Sequence, residues 1–506
     1  MSSLTWKFRR GFWDWISITI FKGKKVEPIP LPPERQRKLR AVSVAERIPA
    51  IRVHNAKLAD HIPEDEASGL MLWVFRFRLL MFKIFGPMQK GLPEIDADIE
   101  RAMNDAYDAK YRKFYRAPEI PSEMAGPGYP DLGVMAVESP YAGFLHKDEE
   151  GNLVWDFRDL DGLETHDGYR GIGCRVFFDI ENRKPVARKI ESELGETVPG
   201  DADWEEAKAI ALCAASTQTS LVAHFNHVHL ACGTPFAIAT RNELSHDHVI
   251  CRLIWPHVFG TQNSNYLVTR LQLVKGGSFE TMFSFTHEAL WKLFDKTYGD
   301  YRASVIVPAL DWSDRGLDDV EIDAPVQDNL VELYDVMNAH AQRYIEHYYG
   351  SDEALRADPQ VKAWIAELNR LVPNGVDGIL GGRLTRAGLA RLIGGFIYMA
   401  SVTHEFLGSY MWDYQLWVDR NPVRLRSDGK RIPLDVLQKV INGNFNLNVN
   451  RAVLMQDLSY FAVDNAGKKL FWQFESELRD LQMQMWTRPH ATWRVTPDRL
   501  DANINA

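Results

Sequence analysis

Three histidines stand within six residues of one apolar stretch, at positions 224, 227 and 229. Imidazole nitrogens are common ligands of transition metals, so this group is a candidate metal site. On an α-helix His224 and His227 share a face, whereas His224 and His229 lie about 140° apart. His224 and His229 can point to one centre only where the helix widens, as in a π-bulge, a feature frequent at functional sites. The spacing alone leaves both pairs open.

Other segments around these histidines share a pattern with a known protein family. Ala207-Lys208-Ala209 precedes the histidines, and Pro235-Phe236-Ala237-Ile238-Ala239-Thr240, Leu244-Ser245 and Pro256-His257 follow them. A later segment reads Ala400-Ser401-Val402-Thr403-His404, and the sequence ends Asn503-Ile504-Asn505-Ala506. In type and order these segments resemble the catalytic domain of the lipoxygenases, over roughly residues 140–506.

The resemblance implies a ligand set for a mononuclear non-heme iron. The family's three histidine ligands fall on His224, His229 and His404, and its C-terminal carboxylate ligand falls on Ala506. Imidazole and carboxylate suit iron and manganese alike, so the choice of metal stays open. His227 falls on no ligand position of the family, and we expect it beside the ligands or at the surface.

A mixed zinc site is the alternative for the same region. Cys232 and Cys251 lie near the histidines in sequence, but their spacing fits no common zinc pattern. We therefore favour the histidine and carboxylate set.

The chain departs from the family pattern at several positions near this site. Gly408 stands where the family usually has an asparagine ligand, four residues after the third histidine. Ser220 and Met411 stand where two glutamines of the family link the metal ligands to the substrate cavity. We therefore expect that this glutamine network is absent, and that the redox tuning of the metal differs from that of the family.

The resemblance also implies a lipid-binding cavity beside the metal. Leu273 matches a leucine that covers the reacting carbon, and Phe279 matches an isoleucine that lines the channel. Val268 and Thr269 fall where a smaller residue gives oxygen access to one end of the substrate. Ligand sites and protein cores are both mainly apolar, so plain core packing is the alternative for these residues.

The reaction implied by the resemblance is insertion of O2 into a cis,cis-1,4-diene of a polyunsaturated fatty acid, which gives a hydroperoxide. Two alternatives stay open. Gly408, Ser220 and Met411 favour an iron enzyme with another reaction, such as hydroperoxide isomerisation or oxidation of an unusual lipid or natural product. The other alternative is a non-catalytic lipid-binding protein.

Composition indicates a globular protein with a sizeable core. Of 506 residues, 45% are hydrophobic and 25% are charged. The net charge of −9 argues against general nucleic-acid binding, for which a basic surface is expected. The four cysteines include no CxxC pair and stand mostly in apolar contexts. This predicts buried free thiols and a reducing compartment, the cytoplasm.

The helical pattern predicts one large, mainly α domain over residues 61–506, and the resemblance implies a catalytic domain with long central helices around the metal. A small β element is expected near residues 150–180. Residues 1–60 are predicted to be an N-terminal segment with a proline-rich linker. Within it, residues 5–21 are aromatic and basic, which fits either contact with a membrane surface or packing against the main body. No apolar run is long enough to predict a transmembrane helix.

Overall fold

Helices make up most of the described chain. The computed structural model describes residues 38–63, 65–66, 121–124, 126, 128–415, 417–430, 453–489 and 494–504. Within these ranges a small antiparallel sheet accompanies the helices, so the mainly α prediction is confirmed.

The α-helices are numbered along the described chain. They are α1 (Val44–Arg47), α2 (Leu132–Glu138), α3 (Trp204–Thr217), α4 (Thr234–Glu243), α5 (Val249–Val258), α6 (Thr261–Leu271), α7 (Ser278–Met282), α8 (His287–Tyr298), α9 (Pro308–Asp314), α10 (Pro325–Tyr348), α11 (Asp352–Ala357), α12 (Pro359–Leu371), α13 (Asp377–Leu380), α14 (Arg386–Tyr398), α15 (His404–Leu407), α16 (Met411–Gln415) and α17 (Asn465–Thr487). Two π-helical segments interrupt this series, the first at Gln218–Gly233 and the second at Met399–Thr403.

The strands form two antiparallel groups. They are β1 (Ala41–Ser43), β2 (Lys57–Ala59), β3 (His146–Lys147), β4 (Leu153–Asp156), β5 (Arg175–Glu181), β6 (Lys184–Ser192) and β7 (Gly195–Thr197). β1 pairs with β2, and β3 to β7 form one sheet in chain order. Asn182 and Arg183 make the two-residue turn between β5 and β6, with φ of 50° and 64°. Positive φ at both residues gives a turn whose twist matches that of the two strands. The predicted β element is present and extends to Thr197.

Two buried helical rods lie at the centre of the fold. One is α3 with the first π segment, and the other is α14 with the second π segment and α15. Almost every residue from Ala209 to Thr240 is buried, and so are residues 388–402 with few exceptions. A helix that is apolar on all sides is stable only inside a large protein, so both rods must lie in the core.

α14 approaches α10 closely because it carries two adjacent glycines. A Cβ at Gly394 would lie 2.6 Å from the Cα of Asn338, and one at Gly395 would lie 2.7 Å from Cγ1 of Ile306. α10 and α14 pack along each other more extensively than any other pair of described elements. This packing fixes the rod that leads to His404.

Residues 38–63 lie against the helical body. The backbone N–H of Leu39 donates to Oδ1 of Asn242 at 2.8 Å, and Leu39 packs with Ile238 and Leu371. Residues 1–37 lie outside the described residues, so the boundary at residue 60 and the role of residues 5–21 stay predictions. Of the helices that the structure describes, none combines the length and hydropathy that a bilayer crossing needs. All four cysteines are free and buried, as predicted.

Candidate metal centre

Three buried histidines from the two central rods come together in the core. His224 and His229 lie on the first π segment, and His404 begins α15. Their ring centroids are 5.0 Å apart for His224–His229 and 4.9 Å apart for each of the other two pairs. One nitrogen from each ring lies within 4.8 Å of the other two, and no other such group of His, Cys, Asp or Glu occurs among the described residues. The cysteines of the alternative zinc site are not part of it.

His224 and His229 share a face because their segment is a π-helix. The backbone N–H of Thr234 donates to the carbonyl of His229, five residues earlier. In this i→i+5 pattern residues five apart are neighbours on one face. The widening that this pair requires is thus present. His227 points elsewhere: its Nε2 lies 2.9 Å from the carbonyl of Thr297 on α8, so it is held against that helix.

His404 is also presented by a π-helical turn. The second π segment ends where the backbone N–H of His404 donates to the carbonyl of Met399, again five residues earlier. The sequence analysis did not predict this second widening. Nothing in the apolar residues of this segment distinguishes a π turn from an α turn.

Asn265 fixes the ring of His229. Its Oδ1 lies 2.8 Å from Nδ1 of His229, and its Nδ2 donates to the carbonyl of His229 at 3.0 Å and to Oγ1 of Thr234 at 2.9 Å. Because a carbonyl only accepts hydrogen bonds, the contacting amide atom is the nitrogen, and Oδ1 must face the ring. Nδ1 of His229 therefore carries the proton, and the Nε2 lone pair faces the cluster.

Glu405 has the corresponding contact with His404. Its Oε1 lies 3.1 Å from Nδ1 of His404, and both residues are buried. With the carboxylate as acceptor, Nδ1 donates and Nε2 of His404 faces the cluster. The Nε2 atoms of His229 and His404 are 3.2 Å apart. Two nitrogens bound at about 2.1 Å to one metal ion are separated by roughly 3.0–3.4 Å, so the residues present fit a metal ion.

Gly408 lies directly against His224. A Cβ at this position would be 2.9 Å from Cε1 and 3.0 Å from Nε2 of His224, and 2.7 Å from the carbonyl oxygen of His404. The resemblance implied only that residue 408 supplies no ligand. The structure adds a reason for glycine, because a larger residue would displace the His224 ring or the α15 backbone.

A glutamine that the sequence analysis missed reaches the first π segment. Nε2 of Gln415 donates to Oγ of Ser220 at 2.7 Å and to Oγ of Ser216 at 2.9 Å. Met411, the position matched to a family glutamine, is fully buried. Gln415 thus makes a glutamine contact near the site that the sequence did not predict, while the absence of the family's two-glutamine network stays a prediction. The chain turns at residues 408–410 between α15 and α16, and a fixed offset from His404 cannot anticipate that turn.

A narrow cavity opens beside His224 and His229. Its empty space, including the part open to solvent, is about 450 Å³. Besides the two histidines it is lined by Ser220, Phe225, Val268, Gln272, Ser278, Phe279, Met282, Phe283 and Gln415. Two of the four predicted substrate residues, Val268 and Phe279, are therefore at the cavity. Thr269 turns its hydroxyl to the carbonyl of Asn265 at 2.9 Å, and Leu273 is fully buried outside the lining.

The C-terminal segment approaches the first π segment. Nδ1 of His257 donates to the carbonyl of Ala502 at 2.6 Å, and Nδ2 of Asn503 donates to the carbonyl of Pro256 at 3.3 Å. Ile504 is fully buried, and a Cβ at Gly233 would lie 2.6 Å from its Cδ1. Ile504 thus contacts the segment that carries His229. Ala506 lies outside the described residues, so the role of its carboxylate stays a prediction.

Comparison with known protein families assigns the chain to one of them. A profile of the lipoxygenase family matches residues 181–435, just over half of the 506 residues. This chain belongs to the lipoxygenase family. The matched range contains the three histidines, Asn265, Glu405 and Gln415.

Curated lipoxygenases and solved lipoxygenase structures agree with this assignment. A linoleate 9S-lipoxygenase of Phaseolus vulgaris is 30% identical over 175 residues, which cover 33% of this chain and 24% of the relative. An arachidonate 12-lipoxygenase, 12R-type, of Mus musculus is 24% identical over 295 residues, which cover 55% of this chain and 42% of the relative. The chain thus spans less than half the length of these curated lipoxygenases. A lipoxygenase solved in complex with arachidonate shares the fold, with a TM-score of 0.73 and 15% identity over 97% of this chain and 82% of the other.

We expect Gly408→Asn to weaken metal binding although it adds a side-chain oxygen. The new Cβ would force His224 or the α15 backbone to move, because both lie within 3.0 Å of it. Competition with a chelator should show an affinity at least about tenfold lower. Gly299→Asn is the control, because a Cβ at Gly299 meets no atom within 4 Å. Tighter metal binding by Gly408→Asn would contradict this account.

Stability should depend on pH through His257. Burial lowers the pKa of His257 from 6.5 to about 4, although the bond to Ala502 opposes the shift. Above about pH 6.5 neither state is protonated. As the pH falls towards 4 the unfolded chain gains a proton first, so this residue removes about 3 kcal/mol from the free energy of unfolding. His257→Gln keeps a donor for Ala502 and should flatten the pH dependence of urea unfolding. An unchanged slope between pH 6.5 and 4 would argue against it.

Proposed function

We propose that this protein is a non-heme iron dioxygenase that inserts O2 into a polyunsaturated fatty acid and produces a lipid hydroperoxide. The observation that carries the proposal is the buried triangle of His224, His229 and His404 in a chain of the lipoxygenase family. The names of the relatives refer to linoleate and arachidonate, which are both polyunsaturated fatty acids. Oxygen uptake with each lipid would show which of them this chain accepts.

The iron would be held by the three histidines and by the carboxylate of Ala506. His229 and His404 present Nε2 because Asn265 and Glu405 occupy Nδ1. Ile504 contacts Gly233 on the segment that carries His229, and the role of the Ala506 carboxylate rests on the family resemblance. Iron bound there supplies the one-electron chemistry for hydrogen-atom removal from the diene and for reaction with O2. Manganese accepts the same ligands and is the other metal to test.

The remaining residues would bind the lipid and keep water out. Phe225 packs edge-on against Phe279 and Phe294, with centroid distances of 5.2 and 5.6 Å, and this gives the cavity a stiff apolar wall. An alkyl chain loses its contact with water in such a cavity, which favours binding. Gln415 on α16 donates a hydrogen bond to Ser220, and both residues line the cavity together with His224. This bond would hold the two sides of the cavity at a fixed separation.

The proposal is tested by metal content and oxygen uptake in three proteins. We expect about one iron per chain and oxygen uptake with linoleate or arachidonate for the wild type. His404→Ala should lose both, because it removes one of the three imidazoles. His227→Ala is the matched control, since His227 belongs to the same π segment but contacts Thr297. A short peptide added after Ala506 should also lower iron content by displacing the carboxylate.

Other outcomes separate the alternatives. Full iron content in His404→Ala would refute its role as a ligand. Iron without oxygen uptake would favour hydroperoxide isomerisation or oxidation of another lipid or natural product. Wild-type protein that binds neither iron nor manganese would favour a non-catalytic lipid-binding protein.

We also propose a cytoplasmic protein that contacts membranes peripherally through residues 5–21. These residues lie outside the described residues, and the proposal rests on their aromatic and basic composition. Deletion of residues 1–21 should reduce co-sedimentation with vesicles that contain anionic lipid, while iron content is unchanged. Vesicle binding equal to that of the full chain would remove this proposal.

A further inference from the structure

His229 and His404 have Nδ1 partners of different charge. His229 donates from Nδ1 to the neutral amide of Asn265, at 2.8 Å. His404 donates from Nδ1 to the carboxylate of Glu405, at 3.1 Å. Both contacts lie behind rings of the same cluster, since the Nε2 atoms of these rings are 3.2 Å apart. The site is thus electrostatically asymmetric behind its ligands.

We propose that Glu405 is a positioning residue that makes His404 a stronger imidazole donor than His229 and favours the oxidised form of the bound metal. This inference rests on the proposed metal site. A carboxylate that accepts a hydrogen bond from the Nδ1–H fixes the ring orientation and raises the basicity of the opposite nitrogen. Its negative charge, held near the metal in a medium of low polarity, stabilises a trivalent ion more than a divalent one.

The burial of Glu405 strengthens the electrostatic effect of its charge on its surroundings. Its side chain is 3% exposed and that of His404 is fully buried, so water screens the pair very little. A buried carboxylate is costly unless nearby positive charge or hydrogen bonds offset it, and a metal ion bound by His404 would add such a charge. The backbone also holds Glu405 in place, because the N–H of Tyr410 donates to its carbonyl at 3.0 Å.

Gly408, which directly follows the short helix α15, bears on the effect of this charge. Residue 408 contributes no oxygen ligand, and its position beside His224 leaves no room for one. A metal bound here would have no neutral donor from residue 408 and would have the carboxylate of Glu405 behind His404. The two features lie within five residues of each other, at the start of α15 and just after its end.

The test compares two substitutions with opposite changes of charge. Glu405→Gln keeps the size of the side chain and an acceptor oxygen but removes the charge. Asn265→Asp adds a charge behind His229. We measure the affinity for Fe²⁺ and Mn²⁺ by chelator competition, and the midpoint potential by a redox titration followed through the electron paramagnetic resonance of ferric iron.

Glu405→Gln should bind metal about tenfold or more weakly and raise the midpoint potential. Asn265→Asp should lower the potential, and the double variant should return towards the wild type. Glu475→Gln is the control, because Glu475 pairs with Arg479 on α17, far from the site in sequence and outside the cluster. A purely structural role of Glu405 would lower thermal stability without opposite shifts of potential in the two variants.

The measurements separate failure of the proposed metal site from failure of the role assigned to Glu405. Wild-type protein that binds no metal overturns the metal site and this inference with it. Wild-type protein that binds metal, with unchanged affinity and potential in Glu405→Gln, overturns the inference alone. Where Glu405→Gln does not fold, an unchanged or raised potential in Asn265→Asp overturns it as well.

Discussion

The i→i+5 hydrogen bonding of Gln218–Gly233 is the constraint on which the candidate site depends. An α-helix would place His224 and His229 on diverging faces, and the triangle could not form. π-helices are rare, so a long buried one needs support from its surroundings. Support is visible at His229, whose carbonyl accepts from the N–H and Oγ1 of Thr234 and from Nδ2 of Asn265. The same amide fixes the ring, so backbone geometry and ligand orientation are held by one residue.

The rest of the fold holds a second rod against the first. Gly394 and Gly395 bring α14 close to α10 and to Ile306, and this packing fixes the approach to His404. A second π turn then presents His404 to the cluster. Ile504 packs on Gly233 from the C-terminal side, while Gly408 leaves room for the His224 ring. Glycines thus allow close contact at three places: between α14 and α10, between Gly233 and Ile504, and between Gly408 and the His224 ring.

Much of this arrangement was accessible from the sequence. The five-residue spacing showed that His224 and His229 could share a centre only on a widened helix, and the motifs around them indicated the family and the mainly α fold. The second π turn was not accessible, because local apolar residues fit α and π turns equally well. Gln415 and Asn265 were missed because each reaches the site across a turn or from another helix, and only tertiary packing brings them there. Thr269 and Leu273 matched the family by position, but their side chains face the backbone and the core.

The central claim is that the imidazoles of His224, His229 and His404 bind one metal ion. The most direct measurement is a crystal structure of protein loaded with iron, with anomalous data collected on both sides of the iron absorption edge. We predict a single anomalous peak about 2.1 Å from Nε2 of His229 and His404 and from one nitrogen of His224. A peak elsewhere, or one that contacts only two of these rings, would contradict the account.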